Sequence, residues 1–153
     1  MKKRLSAIAI TFLALSGCAT VPTVSQEETN KAKQFDAPSE GNAGIYVYRI
    51  NSAFGGALKK DVWLNGKCVG ETAPGIFFYE EVAGNREHTL STESEFSPNS
   101  LMLEAESGKN YFVEQYIKMG AFVGGAGLKV VDATTGKNEV TKLDMARQGR
   151  CSN

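Results

Sequence analysis

"DVWLNGKCVGE", residues Asp61–Glu71, decides the fold of this 153-residue chain. Asn65-Gly66 separates two short runs that suit strands. A type I′ turn needs φ > 0 at both central residues, and Asn-Gly is the pair that adopts it most readily, so the stretch predicts a two-residue hairpin. Its register puts Leu64 opposite Lys67 and Trp63 opposite Cys68. Side chains alternate along a strand, so Val62, Leu64 and Val69 share one face and Trp63 and Cys68 the other.

Outward from the hairpin, strand signals repeat with turn punctuation. Ile45–Ile50 (IYVYRI) precedes it. Ile76–Val82 follows, then a turn at Ala83-Gly84-Asn85, and His88–Glu93 alternates. Ser97-Pro98-Asn99 breaks the pattern before Leu101–Glu104. Tyr111–Lys118 and Leu128–Asp132 come next, and a turn at Thr134–Lys137 leads to a weak last strand near Glu139–Leu143. Seven to nine short strands at this spacing predict an all-β sandwich or barrel. No amphipathic helix of useful length separates them, which argues against a parallel α/β sheet.

The N-terminus has a different build. Lys2, Lys3 and Arg4 precede an uncharged apolar run, Leu5–Leu15, and then small residues. Basic start, short apolar core and small-residue ending make a secretory signal. The run is shorter than the roughly 20 residues a spanning helix needs, and no later segment reaches that length. Leu15-Ser16-Gly17-Cys18 resembles the bacterial lipobox. That resemblance implies cleavage between Gly17 and Cys18, a diacylglycerol on the Cys18 thiol and an acylated new amino group. Three acyl chains exceed the two signals that stable anchoring takes. Ala19 after the cysteine, in place of Asp, implies the outer membrane as destination.

Cleavage removes all of Lys2, Lys3 and Arg4, so the 17 acidic residues then outnumber the basic ones by three. A mildly acidic chain has no electrostatic footprint for nucleic acid. Residues 18–42 are polar, with Pro22 and Pro38 and few large apolar side chains, and read as a lipidated N-terminus and disordered tether. The domain then spans 43–143, and 144–153 is a polar tail.

Removing Cys18 from three cysteines leaves Cys68 and Cys151. An even remainder in an oxidising compartment predicts a bond between them. Such a bond would staple the tail beside Trp63 and contribute roughly 4 kcal/mol in the chain-entropy account.

"VWLNGKCVGETAPGIFFYEEVAGNREHTL" (Val62–Leu90), with "GIYVYR" (Gly44–Arg49) before it and "GKNYFVEQYIKMG" (Gly108–Gly120) after it, resembles the bacterial lipoprotein family termed domain of unknown function 2846, DUF2846. A looser likeness runs to PEGA-type modules, which share the "NGK..G" hairpin and the "G..H.L" strand. Both imply a prealbumin-like or carboxypeptidase-regulatory-like β-sandwich, and neither carries an assigned activity or a catalytic residue.

Candidate chemistry is sparse. His88 is the single histidine. A hydrolase would rest on it with Ser91 or Ser94, but no G-x-S-x-G elbow is present. Sharing a face with Leu90, His88 reads better as a structural residue at a core edge. Glu80, Glu81, Glu93 and Glu95 carry no calcium-loop pattern, and the cysteines lack metal-ligand spacing. Two Gly/Ala-rich stretches stand out, Asn51–Leu58 (NSAFGGAL) and Met119–Leu128 (MGAFVGGAGL). Phe54, Phe122 and Val123 in them are the candidate contact residues for a partner or a membrane surface.

The expected function is a lipid-anchored, periplasm-facing outer-membrane lipoprotein. It acts as a non-enzymatic binding or scaffolding module, with no cofactor beyond the lipid on Cys18. Its partner would be an envelope protein or peptidoglycan. The alternative is an envelope-directed enzyme or enzyme inhibitor using His88 or nearby acids.

Overall fold

The computed structural model describes residues 17–94 and 99–152. The apolar run of the signal reading, Glu95 and most of the break at Ser97-Pro98-Asn99 lie outside them. The described residues form nine strands in two sheets: β1 (Asn42–Arg49), β2 (Lys60–Leu64), β3 (Lys67–Thr72), β4 (Ile76–Ala83), β5 (Arg86–Thr92), β6 (Asn99–Ala105), β7 (Asn110–Lys118), β8 (Gly125–Val131) and β9 (Asp144–Met145). Helix α1 (Gln26–Ala32) precedes β1, and α2 (Ala133–Val140) lies between β8 and β9. One sheet has the order β8-β7-β1-β4-β9 and the other β3-β2-β5-β6. The architecture is an all-β sandwich.

The Asn65-Gly66 turn forms, with φ of 52° and 77° at the two residues. Leu64 pairs with Lys67 and Trp63 with Cys68. Beyond that point Val62 pairs with Gly70 rather than Val69, so a bulge interrupts the regular register. The bulge serves the core: Val69 still packs with Val62 and Leu64. The Val69 carbonyl accepts from Gly149 N–H at 2.8 Å, which draws the C-terminal segment onto β3. A side chain at Gly70 would meet the Phe78 ring at 2.8 Å, so the bend depends on glycine.

Between the sheets lies one apolar core, built from Ile45, Val47, Val62, Leu64, Phe78, Leu90, Leu103 and Val113, among others. A second cluster lies on the other face of the five-stranded sheet. There Tyr46, Tyr48, Phe77 and Phe112 pack with Val140 and Leu143, and with Ala32 and Phe35 at their edge. Tyr46 stacks on Phe112 at 4.9 Å between ring centroids, and Phe35 meets both rings edge-on. The five-stranded sheet is therefore covered on both faces, and its cover comes from the two chain ends.

This revises the expected organisation at both ends. Residues expected as a free tether carry α1, closed by a capping box in which the Ser25 hydroxyl accepts from Glu28 N–H and the Glu28 carboxylate from Ser25 N–H. Thr29 is fully buried, and Tyr46 Oη donates to the Ala32 carbonyl at 2.8 Å. The turn at Thr134–Lys137 and the weak strand at Glu139–Leu143 are replaced by α2, whose N-cap is Asp132. Val140, its last residue, and Leu143, three residues beyond it, face the second cluster. The tail contributes β9, which runs parallel to β4, and the buried Ala146.

Gly136 marks how closely α2 sits. A Cβ there would overlap the Phe112 ring. Glycine to alanine inside an exposed helix ordinarily adds about 1 kcal/mol of stability. Here overpacking, at about 1–3 kcal/mol, opposes that gain. Gly136→Ala is expected to lower the thermal unfolding midpoint, and thermal denaturation followed by circular dichroism measures it.

Candidate functional site

The candidate site is one end of the sandwich, where the β1–β2 and β7–β8 loops meet. Antiparallel pairing of β1 with β4 and β7 with β8, and parallel pairing of β1 with β7, bring Arg49, Ile76, Lys118 and Gly125 to this end. The Asn51–Leu58 stretch leaves β1 here, and Met119–Gly124 joins β7 to β8. The two expected glycine-rich loops thus lie together, around an open cavity of about 240 Å³ lined by Phe54, Leu58, Ile117, Met119, Phe122 and Val123.

Glycine lets the loops touch. A Cβ on Gly55 would meet Ile117 at 2.8 Å, and one on Gly124 would meet Leu58 at 2.6 Å. Arg49 fixes the first loop from beneath. It is 3% exposed, and its guanidinium donates to the carbonyls of Leu58 (2.7 Å) and Gly55 (2.6 Å). Burial lowers its pKa, and the two carbonyls supply acceptors in place of water. Below the loops the inter-sheet space is polar and satisfied. Gln115 Nε2 donates to Thr92 Oγ1 at 2.7 Å, Thr92 Oγ1 donates to the Asp61 carbonyl at 2.7 Å, and Thr72 Oγ1 bonds Gln115 Oε1. The Arg49 bonds thus brace the Asn51–Leu58 loop. The large side chains on the two loops face outward: Phe122 is 89% exposed, Met119 86% and Phe54 54%, with Val123 also exposed.

The N-terminal segment leads to the same end. Val24 N–H donates to the Met145 carbonyl, Arg147 N–H donates to the Pro22 carbonyl, and Thr23 bridges Ala146. Running back along this edge, the chain reaches Ala19, whose N–H donates to the Gly56 carbonyl at 2.8 Å. Cys18 is exposed next to it and, among the described residues, is the one free cysteine. Sequence reasoning missed this neighbourhood, because backbone hydrogen bonds between residues far apart leave no residue-type signal.

Cys68 and Cys151 form a disulfide, with Cα atoms 6.0 Å apart and the two residues 83 positions apart in sequence. It holds the end of the tail across β2, where Cys151 Sγ lies 3.7 Å from the Val62 carbonyl. Beyond it, Ser152 N–H and Oγ donate to the Asp61 carboxylate at 3.1 and 2.6 Å. Burial raises the Asp61 pKa; the Ser152 bonds oppose this, while the Glu93 and Glu71 charges add to it.

His88 sits at the opposite end, 6% exposed. Asn65 Oδ1 accepts from Thr89 N–H at 3.0 Å, which orients the amide so that Asn65 Nδ2 donates to His88 Nδ1 at 2.9 Å. His88 Nε2 then donates to the Ala83 carbonyl at 2.8 Å. Both ring nitrogens are spent joining the β2–β3 and β4–β5 turns, and no Ser91 or Ser94 hydroxyl takes part in those bonds. The acids are also dispersed into local bonds. Glu81 accepts from Asn42 and Ser39, which lower its pKa, whereas Glu93 accepts from Lys60 and Asp61 N–H. Among the described residues no three His, Cys, Asp or Glu side chains are grouped to hold a metal ion. Among them, too, no helix is long and apolar enough to cross a membrane.

The sequence profile of the family described as "Protein of unknown function (DUF2846)" matches residues 39–126, more than half of the chain. The chain belongs to the DUF2846 family. A Haemophilus influenzae relative, described as an uncharacterized protein, is 52% identical over 143 residues, covering 94% of this chain and 83% of that protein. No solved structure matches the chain. The DUF2846 match takes in both apolar loops and Cys68, while Cys18, both helices and Cys151 fall outside it.

The closed loop is long, so the chain-entropy account assigns the disulfide about 4 kcal/mol. Replacing Cys68 and Cys151 together by alanine is expected to lower the unfolding free energy by that order, read from urea titrations of the two proteins.

Proposed function

We propose that this DUF2846 protein is a lipoprotein, anchored through Cys18 in the outer membrane and facing the periplasm. It serves there as a non-enzymatic binding or scaffolding module for an envelope protein or for peptidoglycan. The observation that carries the reading is the division of the three cysteines. Cys68 and Cys151 are bonded to each other, and the exposed, unbonded thiol is the one that ends the lipobox-like Leu15-Ser16-Gly17-Cys18. An acyl-bearing cysteine has to be accessible at the domain surface, and Cys18 is.

The non-enzymatic part of the reading is supported by the spending of His88 on Asn65 and Ala83, which leaves its ring no nitrogen for proton transfer. The scaffold part is supported by the bracing of the Asn51–Leu58 loop by Arg49 and by the packing of both helices on the five-stranded sheet.

The test is the mature N-terminus. Mass spectrometry of the protein isolated from its bacterial host is expected to find a chain that begins at Cys18 and carries acyl groups. Cys18→Ser is expected to keep residues 1–17 and lose lipid labelling. A wild-type protein recovered from cells with an unmodified Cys18 thiol contradicts the reading.

A further inference from the structure

The docked N-terminal segment leaves no slack between Cys18 and the sandwich. Ala19 is hydrogen-bonded to Gly56, two residues from Phe54. One residue of chain spans at most about 3.6 Å. Acyl chains on Cys18 would therefore enter a bilayer directly beside the exposed apolar loops.

We propose that this end of the sandwich is a membrane-docking surface. Phe54, Met119, Phe122 and Val123 insert at the headgroup boundary of the leaflet that holds the Cys18 lipid. The inference rests on the acylation proposed above and adds what the domain does with its own side chains.

Two features besides the anchor fit a lipid surface. Exposed apolar side chains from two loops cluster around one cavity, an arrangement that marks an interaction site rather than scattered surface residues. Interfacial segments bury such side chains about 5–10 Å into the headgroup and acyl boundary. Basic residues also lie along the side that leads to this end. Arg147, Arg150 and Lys59, the last paired with Glu71 at 3.8 Å, line a second cavity beside Val21 and Pro22. Lys118 immediately precedes Met119. Such residues match the phosphates of anionic headgroups. Arg49 holds the Phe54 loop in shape, so insertion requires little new ordering. The same geometry turns the Asn65-Gly66 turn and His88 away from the bilayer, toward the periplasm.

The single Trp63 lies next to the far turn, so it can be replaced to free the indole signal for the loop. The acylated full protein carrying Trp63→Phe and Phe122→Trp is reconstituted into vesicles of phosphatidylethanolamine and phosphatidylglycerol. One set of vesicles has lipids brominated in the upper acyl chain. Intact mass of the same sample reports the acyl groups. The expected result is a blue-shifted emission in vesicles and a loss of emission with brominated lipid, whereas Trp63 in the otherwise unaltered protein is not quenched. Phe54→Trp in the same background is expected to behave alike and provides a second probe. Acylated protein whose loop indoles emit equally in both vesicle sets overturns the docking surface and leaves the anchor standing; this is also the outcome if the loops serve a protein partner. Protein without acyl groups on Cys18 overturns both proposals.

Discussion

The outer face of the five-stranded sheet cannot be left to water. Tyr46, Tyr48, Phe77 and Phe112 present a continuous aromatic surface there, and large rings of this kind dominate the energetics of burial. Cover has to come from outside the hairpins, since every strand is already committed to a sheet. The chain supplies it from its two ends. Phe35 closes over Tyr46 and Phe112 from the N-terminal side, and Val140 and Leu143 close from the C-terminal side. Once Phe35 is fixed, α1 is fixed, and the segment before α1 runs along Met145 and Arg147 to the loop at Gly56. The position of Cys18 is thus a consequence of how an aromatic sheet face is covered.

That chain of constraint links fold to function. A lipoprotein domain on a long tether samples many orientations and presents its whole surface. With the lipid proposed for Cys18, a domain hydrogen-bonded to its own chain one residue later would be held close to the bilayer. The apolar loops would then lie toward the lipid, and the opposite end, with its His88-braced turns, away from it. The disulfide contributes from the other terminus. By tying Cys151 to Cys68 it holds the tail on β2 and β3, and with it the edge against which Pro22 and Thr23 are bonded.

Much of this is legible in the sequence, for identifiable reasons. Asn65-Gly66 specifies its turn through backbone sterics alone, so the hairpin and the Trp63–Cys68 pairing follow from local rules. The disulfide follows from counting, once Cys18 is set aside. The meeting of the two glycine-rich loops follows from antiparallel connection, which returns alternate loops to the same end. The cover was harder to see. In "IYVYRI" both alternating sets are apolar, Ile45 and Val47 on one side and Tyr46 and Tyr48 on the other, which is the pattern of a strand buried on two faces. Ser25 and Glu28 are a capping box three residues apart, a helix-start signal inside a stretch whose overall polarity suggests disorder. Gly136 suggests a turn by type, yet it serves as the small residue that lets a helix lie on Phe112. In each case tertiary packing outweighs local composition. The docking of Ala19 on Gly56 uses backbone groups alone, so no residue type reports it.

The central claim is that residues 19–37 are part of the folded domain and not a tether. Amide hydrogen exchange on the protein tests it most directly. Protection is expected at the amides of Ala19, Val24 and Thr29, each of which donates to a backbone carbonyl. Exchange across residues 19–37 at the rate of an unstructured chain, with β1 and β4 fully protected, would contradict the account.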